Sequence, residues 1–216
     1  MTETTTLLAR EGAALAIAIE DDATPFVRQI AQALRRAART GHAVEVLGGA
    51  AGAVAVRSHD TPQAATITLG EGTVEVASGV RVVPDATVVV DVHARFASVQ
   101  EVEGDGVLAA AALSALQPPL PHWREAAASF WNETREIAGI PDVLVVDAVG
   151  PDGIEHGRFG VGATEYLLAG PADLLAGIFT GADDLPAALA AGVQVKGTLS
   201  QLSVMTAASW KVRFDV

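Results

Sequence analysis

Cysteine is absent from the 216-residue chain. That excludes disulfides and thiolate chemistry and leaves the redox compartment open. Long apolar runs are absent too, and no stretch approaches the ~20 residues that a membrane-spanning helix needs. The N-terminal sequence has no basic segment, and its apolar run is broken by Arg10, Glu11 and Gly12. It is a poor match to a signal peptide, so integral membrane insertion is not expected and the expected location is cytoplasmic. Positive charge is scarce: 14 Lys and Arg face 26 Asp and Glu, for a net charge of −12. A nucleic-acid surface gains affinity by releasing counterions from a basic patch, so this balance argues against nucleic acid as a partner. The local exception is Arg28, Arg35, Arg36 and Arg39, which helical spacing places largely on the solvent side of one helix. A solvated face with cations near a helix C-terminus accounts for them; contact with anionic headgroups or an acidic partner is the functional alternative. Aromatics are few, at 5%, and alanine dominates the hydrophobic half of the composition.

What is present is an alternation of helices and strands. Thr24-Pro25 opens a helix over 25–39 with Phe26, Val27, Ile30, Ala31 and Leu34 on one face, and Gly41 ends it. Residues 13–19, 43–47, 53–57, 64–69, 73–77, 80–83 and 87–92 read as strands, and 107–116 as a helix stopped by Pro118-Pro119. A second Pro-initiated helix, 121–138, carries Trp123, Ala127, Phe130, Thr134 and Ile137 on one face. Strands at 142–148 and 153–159 follow. The closing residues Trp210, Val212, Phe214 and Val216 alternate with Lys211, Arg213 and Asp215, which predicts a half-buried last strand. Strands in runs between helices predict an α+β protein, a mixed and largely antiparallel sheet covered by helices.

The last third is the most patterned. Tyr166 to Leu168 form a short apolar strand, and Gly170-Pro171 turns into a helix with Leu174, Leu175, Ile178 and Phe179 on one face. Gly181 ends it, Asp184 caps a second helix carrying Leu185, Ala188 and Leu189, and Gly192 leads into Val193-Gln194-Val195-Lys196-Gly197. The segments PADLLAGIFTG, DDLPAALAAG and GVQVKG, with AATITLGEGTVEVASGVRVVPDATVVVD upstream, resemble the sterol-carrier-protein type-2 family over about half of the chain. An extra stretch around the 121–138 helix departs from that family, as does the chain's length. A pseudo-duplicated arrangement, with halves at 1–120 and 121–216, accounts for both departures. Gly72 and Gly79 are spaced like Gly153 and Gly160, and Ala86-Thr87 and Ala163-Thr164 both lead into strands. One elaborated unit remains the other reading.

The resemblance implies a carrier fold whose helices wall an apolar cavity. Carried over by position, its walls are Leu174, Leu175, Ile178, Phe179, Leu185 and Leu189, with Val204 and Met205 closing one end. Trp123, Phe130 and Trp131 spread aromatic surface over about 100° of one helix, enough to enter the core and line a cavity at once. The expected function is non-catalytic binding or transfer of an apolar small molecule, such as a lipid, an acyl chain or a sterol-like compound, by desolvation. No cofactor and no metal are implied. The alternatives are a structural or regulatory module with a filled cavity, acting through homodimerisation or a partner enzyme, and a small enzyme using Asp91 and His93, which lie two apart on a predicted strand.

Other chemical motifs are thin. Ser58-His59-Asp60 are consecutive and point to opposite sides of an extended chain, which no relay tolerates. Glu101, Glu103 and Asp105 read as a hydrated loop, and Asp152, Glu155 and His156 as the polar residues of a hairpin turn. Gly157, Gly160 and Gly162 lack dinucleotide spacing.

Overall fold

The computed structural model describes residues 15–70 and 72–214. The chain is an α+β protein with two sheets. Its first part runs β1 (Ala16–Ile19), α1 (Pro25–Arg39), α2 (His42–Leu47), β2 (Gly52–Ser58), β3 (Ala64–Gly70), β4 (Thr73–Ser78) and β5 (Ala86–Asp91). The two-residue strands β6 (Ala97–Ser98) and β7 (Glu103–Gly104) and helix α3 (Gly106–Leu116) complete it. The second part runs α4 (Trp123–Thr134), β8 (Val143–Gly150), β9 (Gly153–Gly160), β10 (Glu165–Pro171), α5 (Ala172–Phe179), α6 (Leu185–Ala190), β11 (Gln194–Lys196) and α7 (Leu199–Phe214).

Each sheet follows one plan. In the first, the order is β1-β4-β3-β2-β5-β6, with β7 also on β5. There β2 and β3 form an antiparallel hairpin, and β2 lies parallel to β5, with Val54 opposite Ala86. In the second, the order is β11-β10-β8-β9; β8 and β9 form the hairpin, and β8 lies parallel to β10, with Val143 opposite Glu165. A helix precedes each hairpin. By strand pairing the counterpart of β9 is therefore β3. The glycine spacing had matched β9 with β4, one strand further along.

Helix α1 forms where its sequence places it. Thr24 caps it, Pro25 opens it, and Phe26, Val27, Ile30, Ala31 and Leu34 are buried. One side of α1 packs on the first sheet and the other meets α7 of the second part. Two cores result. One joins Phe26, Ile30 and Leu34 to Val54, Ile67 and Val88; the other joins Trp123 and Phe130 to Leu144, Tyr166 and Leu175.

Three elements differ from the sequence expectation. The predicted strand 43–47 is helix α2, because Ala43 and Leu47, four apart, are the buried pair while Val44 stays in water. The segment 80–83 is an exposed loop rather than a strand, with Val83 93% exposed. The predicted last strand is the C-terminal turn of α7; Asp215 and Val216, which that expectation included, lie outside the described residues, as do Ala13 and Ala14 of the predicted first strand. The buried residues of α7 are Met205, Ala208, Ser209, Val212 and Arg213, a spacing of three and four. Its start carries a reciprocal cap: the Thr198 amide donates to Gln201 Oε1 at 2.8 Å, and the Gln201 amide donates to Thr198 Oγ1 at 3.2 Å.

Candidate functional site

The residues read as cavity walls, Val204 apart, are brought together in the second core, where they pack on one another. Trp123, Phe130, Trp131, Leu175, Ile178, Phe179, Leu185 and Met205 are buried, while Leu174, Leu189 and Val204 are partly buried. The α4 aromatics seat against glycines of β9. A Cβ on Gly157 would lie 2.8 Å from the Trp123 ring, and one on Gly160 would lie 2.4 Å from Trp131. These glycines make room for indoles, which is why their spacing follows no nucleotide-binding pattern. Phe130 stacks at a tilt on Phe179, with centroids 5.4 Å apart. The Trp123 indole N–H donates to Glu155 at 3.2 Å, and the Arg124 guanidinium lies 4.4 Å above the ring. Tyr166 is enclosed beside Gly197, and its hydroxyl has no hydrogen-bond partner. Burial pushes that hydroxyl up to about 12.

Open space lies instead at the seam between the two parts. A cleft of about 240 Å³ runs between α1, α4, the end of α5 and α7. Its floor is Pro121, Ala126, Phe179 and Val212; Gln32, Arg36 and Arg39 form one wall, and Glu125 and Glu133 of α4 the other. Among the predicted wall residues, Phe179 borders this cleft, and Leu174 borders a smaller one of about 110 Å³ beside α6.

Beside the cleft, three arginines converge on a small, partly open hollow of about 20 Å³, room for one water. Arg213, 5% exposed, donates to the carbonyls of Gly181 (3.1 Å) and Ala182 (2.9 Å). It also meets the Gln29 amide oxygen, turned toward its guanidinium, at 3.0 Å. Arg95 reaches across the seam to Asp183 through two bonds, at 2.8 and 2.5 Å, and to the Asp173 carboxylate at 2.9 Å. The Asp183 carboxylate holds its guanidinium above the ordinary range. This pair sits on Gly177, where a Cβ would lie 1.8 Å from the Asp183 carboxylate. Arg95 and Phe96 both hold positive φ, 52° and 61°, a conformation that side chains other than glycine rarely adopt.

Arg36 is different. It donates to the Thr180 carbonyl at 3.4 Å, and its shielded Nε has no partner. It pairs with no carboxylate among the described residues. Burial, reinforced by the nearby Arg95 charge, pulls its guanidinium down to about 10, which still leaves it a cation at neutral pH. Arg36 is thus half-buried rather than fully solvated: α7 and the α5 terminus shield part of it, and the rest lines the cleft. Gln32 beside it donates to the Val212 carbonyl at 3.0 Å, but its own buried Oε1 accepts nothing.

Asp91 and His93 do not form an acid–base pair. The chain turns after β5, and the Asp91 carboxylate accepts from the backbone amides of His93 (2.7 Å) and Ala94 (3.2 Å). The His93 imidazole instead lies 3.7 Å from Asp60, whose carboxylate takes the Ser58 hydroxyl at 2.5 Å. On the second sheet, His156 and Asp147 pair at 2.7 Å on an exposed face. Among the described residues, no group of three His, Asp or Glu is placed to hold a metal ion, and no helix is long and apolar enough to cross a membrane. Comparison with protein-family models, with curated proteins and with solved structures returns no match.

Sequence reasoning missed Arg95, Asp183, Gln32 and Arg213. Only Arg213 had a local signal, the Thr198-x-x-Gln201 capping box, which would have placed it on a helix face beside Val212.

Proposed function

We propose that the chain is a non-catalytic binder of a small apolar or amphipathic molecule, and that the ligand seats in the cleft at the seam. The observation that carries this reading is the mostly apolar cleft between α1, α4, α5 and α7, beside a second core whose residues fill one another's space. A cleft of about 240 Å³ lies just below the roughly 300–1,000 Å³ of drug-sized ligand sites. It therefore suits a short acyl chain or one end of a longer lipid better than an enclosed sterol. Binding energy comes from removing apolar surface from water, at roughly 25 cal/mol per Å², against the cost of ordering the ligand. The repeated strand plan of the two sheets supports reading the chain as a pseudo-duplicated, sterol-carrier-like unit.

Native mass spectrometry of the purified chain, followed by identification of what denaturation releases, tests the proposal. One small amphiphile per chain is the expected result. A clean apo mass, with no uptake from a panel of octanol, octanoate and longer lipids, overturns it. The second reading, an interaction module with a filled interior, draws support from Val83 and Val161, 93% and 96% exposed on the loops before β5 and β10. A concentration-dependent dimer that V83D and V161D abolish would favour it.

A further inference from the structure

We infer that Arg36 is an anion receptor and that the ligand of the seam cleft carries a carboxylate or phosphate head. The inference rests on the cleft reading above and adds the chemistry of the head. Three guanidinium groups meet at the seam, and two are accounted for by the fold. Arg213 closes the carbonyl end of α5, and Arg95 takes Asp183 and Asp173 from the opposite part. Arg36 has neither role. At 3.4 Å its bond to Thr180 is long, and the carbonyls that follow already receive Arg213.

A structural cation at a helix C-terminus needs only to sit near the last carbonyls, which an exposed side chain does as well. Half-buried and without a carboxylate in contact, Arg36 feels the Asp183 charge only from a distance, because Asp183 is bound directly by Arg95. Asp184 is also engaged, capping α6 through the Ala187 amide and accepting from the Trp210 indole. Glu125 and Glu133 stand across the cleft on α4 and form no ion pair with Arg36. A guanidinium fork offers two parallel donors to carboxylate or phosphate, and the unpartnered Nε belongs to that fork. Arg36 also borders the small hollow, the seam cleft and a further groove beside Arg95, Gln117 and Asp173. A head resting on Arg36 therefore leaves its apolar tail over Ala126, Phe179 and Val212.

The test is calorimetric titration of the full chain and its R36M variant with octanoate, octyl phosphate, octanol and inorganic phosphate. Native octanoate or octyl phosphate binding should exceed octanol binding by at least about tenfold, the factor one charge-assisted hydrogen bond supplies. R36M should erase that preference by weakening the acids far more than octanol, and persisting octanol binding shows that the cleft survives the substitution. R36K, a charge without the fork, should recover only part of it, and E133Q should tighten the acids. The stronger of the two acids identifies the head. Equal native affinity for octanoate and octanol overturns the inference while leaving the cleft reading standing. So does an R36M loss shared equally by octanol and the acids. Inorganic phosphate matching octyl phosphate overturns the amphiphile. Failure of all four to bind overturns the cleft reading itself.

Discussion

The second core and the seam beside it are built from adjoining faces of the same helices and follow opposite rules. In the core, indoles rest on glycines, Phe130 stacks on Phe179, and the leucines of α5 and α6 close the remaining space. At the seam, three cations converge, one of them unpaired, beside an open apolar cleft. Polar groups left without partners are a cost to stability wherever they are buried. The second core holds one such group, the Tyr166 hydroxyl, shut away from any open space. Arg36 Nε and Gln32 Oε1 instead lie together on residues that line the seam cleft, and that access points to function at the seam.

The comparison breaks most readily in the core. Phe130→Ala should cost about 3–5 kcal/mol, the range for deleting a packed aromatic ring, read as a drop in the urea midpoint. A much smaller loss would mean the core holds a cavity after all. Arg95→Met should cost about 2 kcal/mol, below the range for a fully buried ion pair, because the half-buried Asp183 carboxylate loses its partner. Arg36→Met should change stability by less than about 1 kcal/mol, since no carboxylate is orphaned by its loss. Equal losses at positions 36 and 95 would make both arginines structural.

The polar groups of the core sharpen the contrast further. Tyr166→Phe removes a hydroxyl that pairs with nothing and should stabilise the protein by about 1 kcal/mol. Tyr166 is the chain's one tyrosine, so its absorbance titration is unambiguous and should centre near pH 12. A raised folded value means that this group's contribution is complete below the ordinary tyrosine range and is lost as pH rises toward 12. The smallest effect is expected at Asp142, which joins the starts of β8 and β10. Its carboxylate accepts from the amides of Thr164 (2.9 Å) and Ala163 (3.0 Å), and bonding to Thr164 holds it below the usual carboxylate range. Its contribution is therefore present above the ordinary aspartate value and lost as pH falls below it, so D142N should flatten the acid limb of the melting-temperature profile.

Helix α1, the longer strands of both sheets and the α5–α6 pair were legible because proline, glycine and apolar spacing all pointed the same way, whereas the two-residue strands β6 and β7 carry no such pattern. Helices α2 and α7 were not. Valines in α2 alternate as in a strand, and the buried face of α7 mixes Met205, Ala208 and Val212 with Ser209 and Arg213, which breaks the apolar stripe. The wall residues were gathered correctly in space, yet whether a set of leucines encloses a hole depends on what fills it. Here the filling comes from α4 indoles over β9 glycines, a long-range fit that no local pattern carries. Arg36 was hidden for the same reason. On α1 alone it faces water, and only the arrival of α7 and the α5 terminus shields part of it.

The central claim is that ligand enters the seam and leaves the second core undisturbed. Methyl chemical-shift mapping during an octanoate titration tests this most directly. The account predicts shifts at Ala126, Thr180 and Val212, with Leu175, Ile178, Leu185 and Met205 unmoved. Shifts concentrated on those four, with the seam silent, would contradict it.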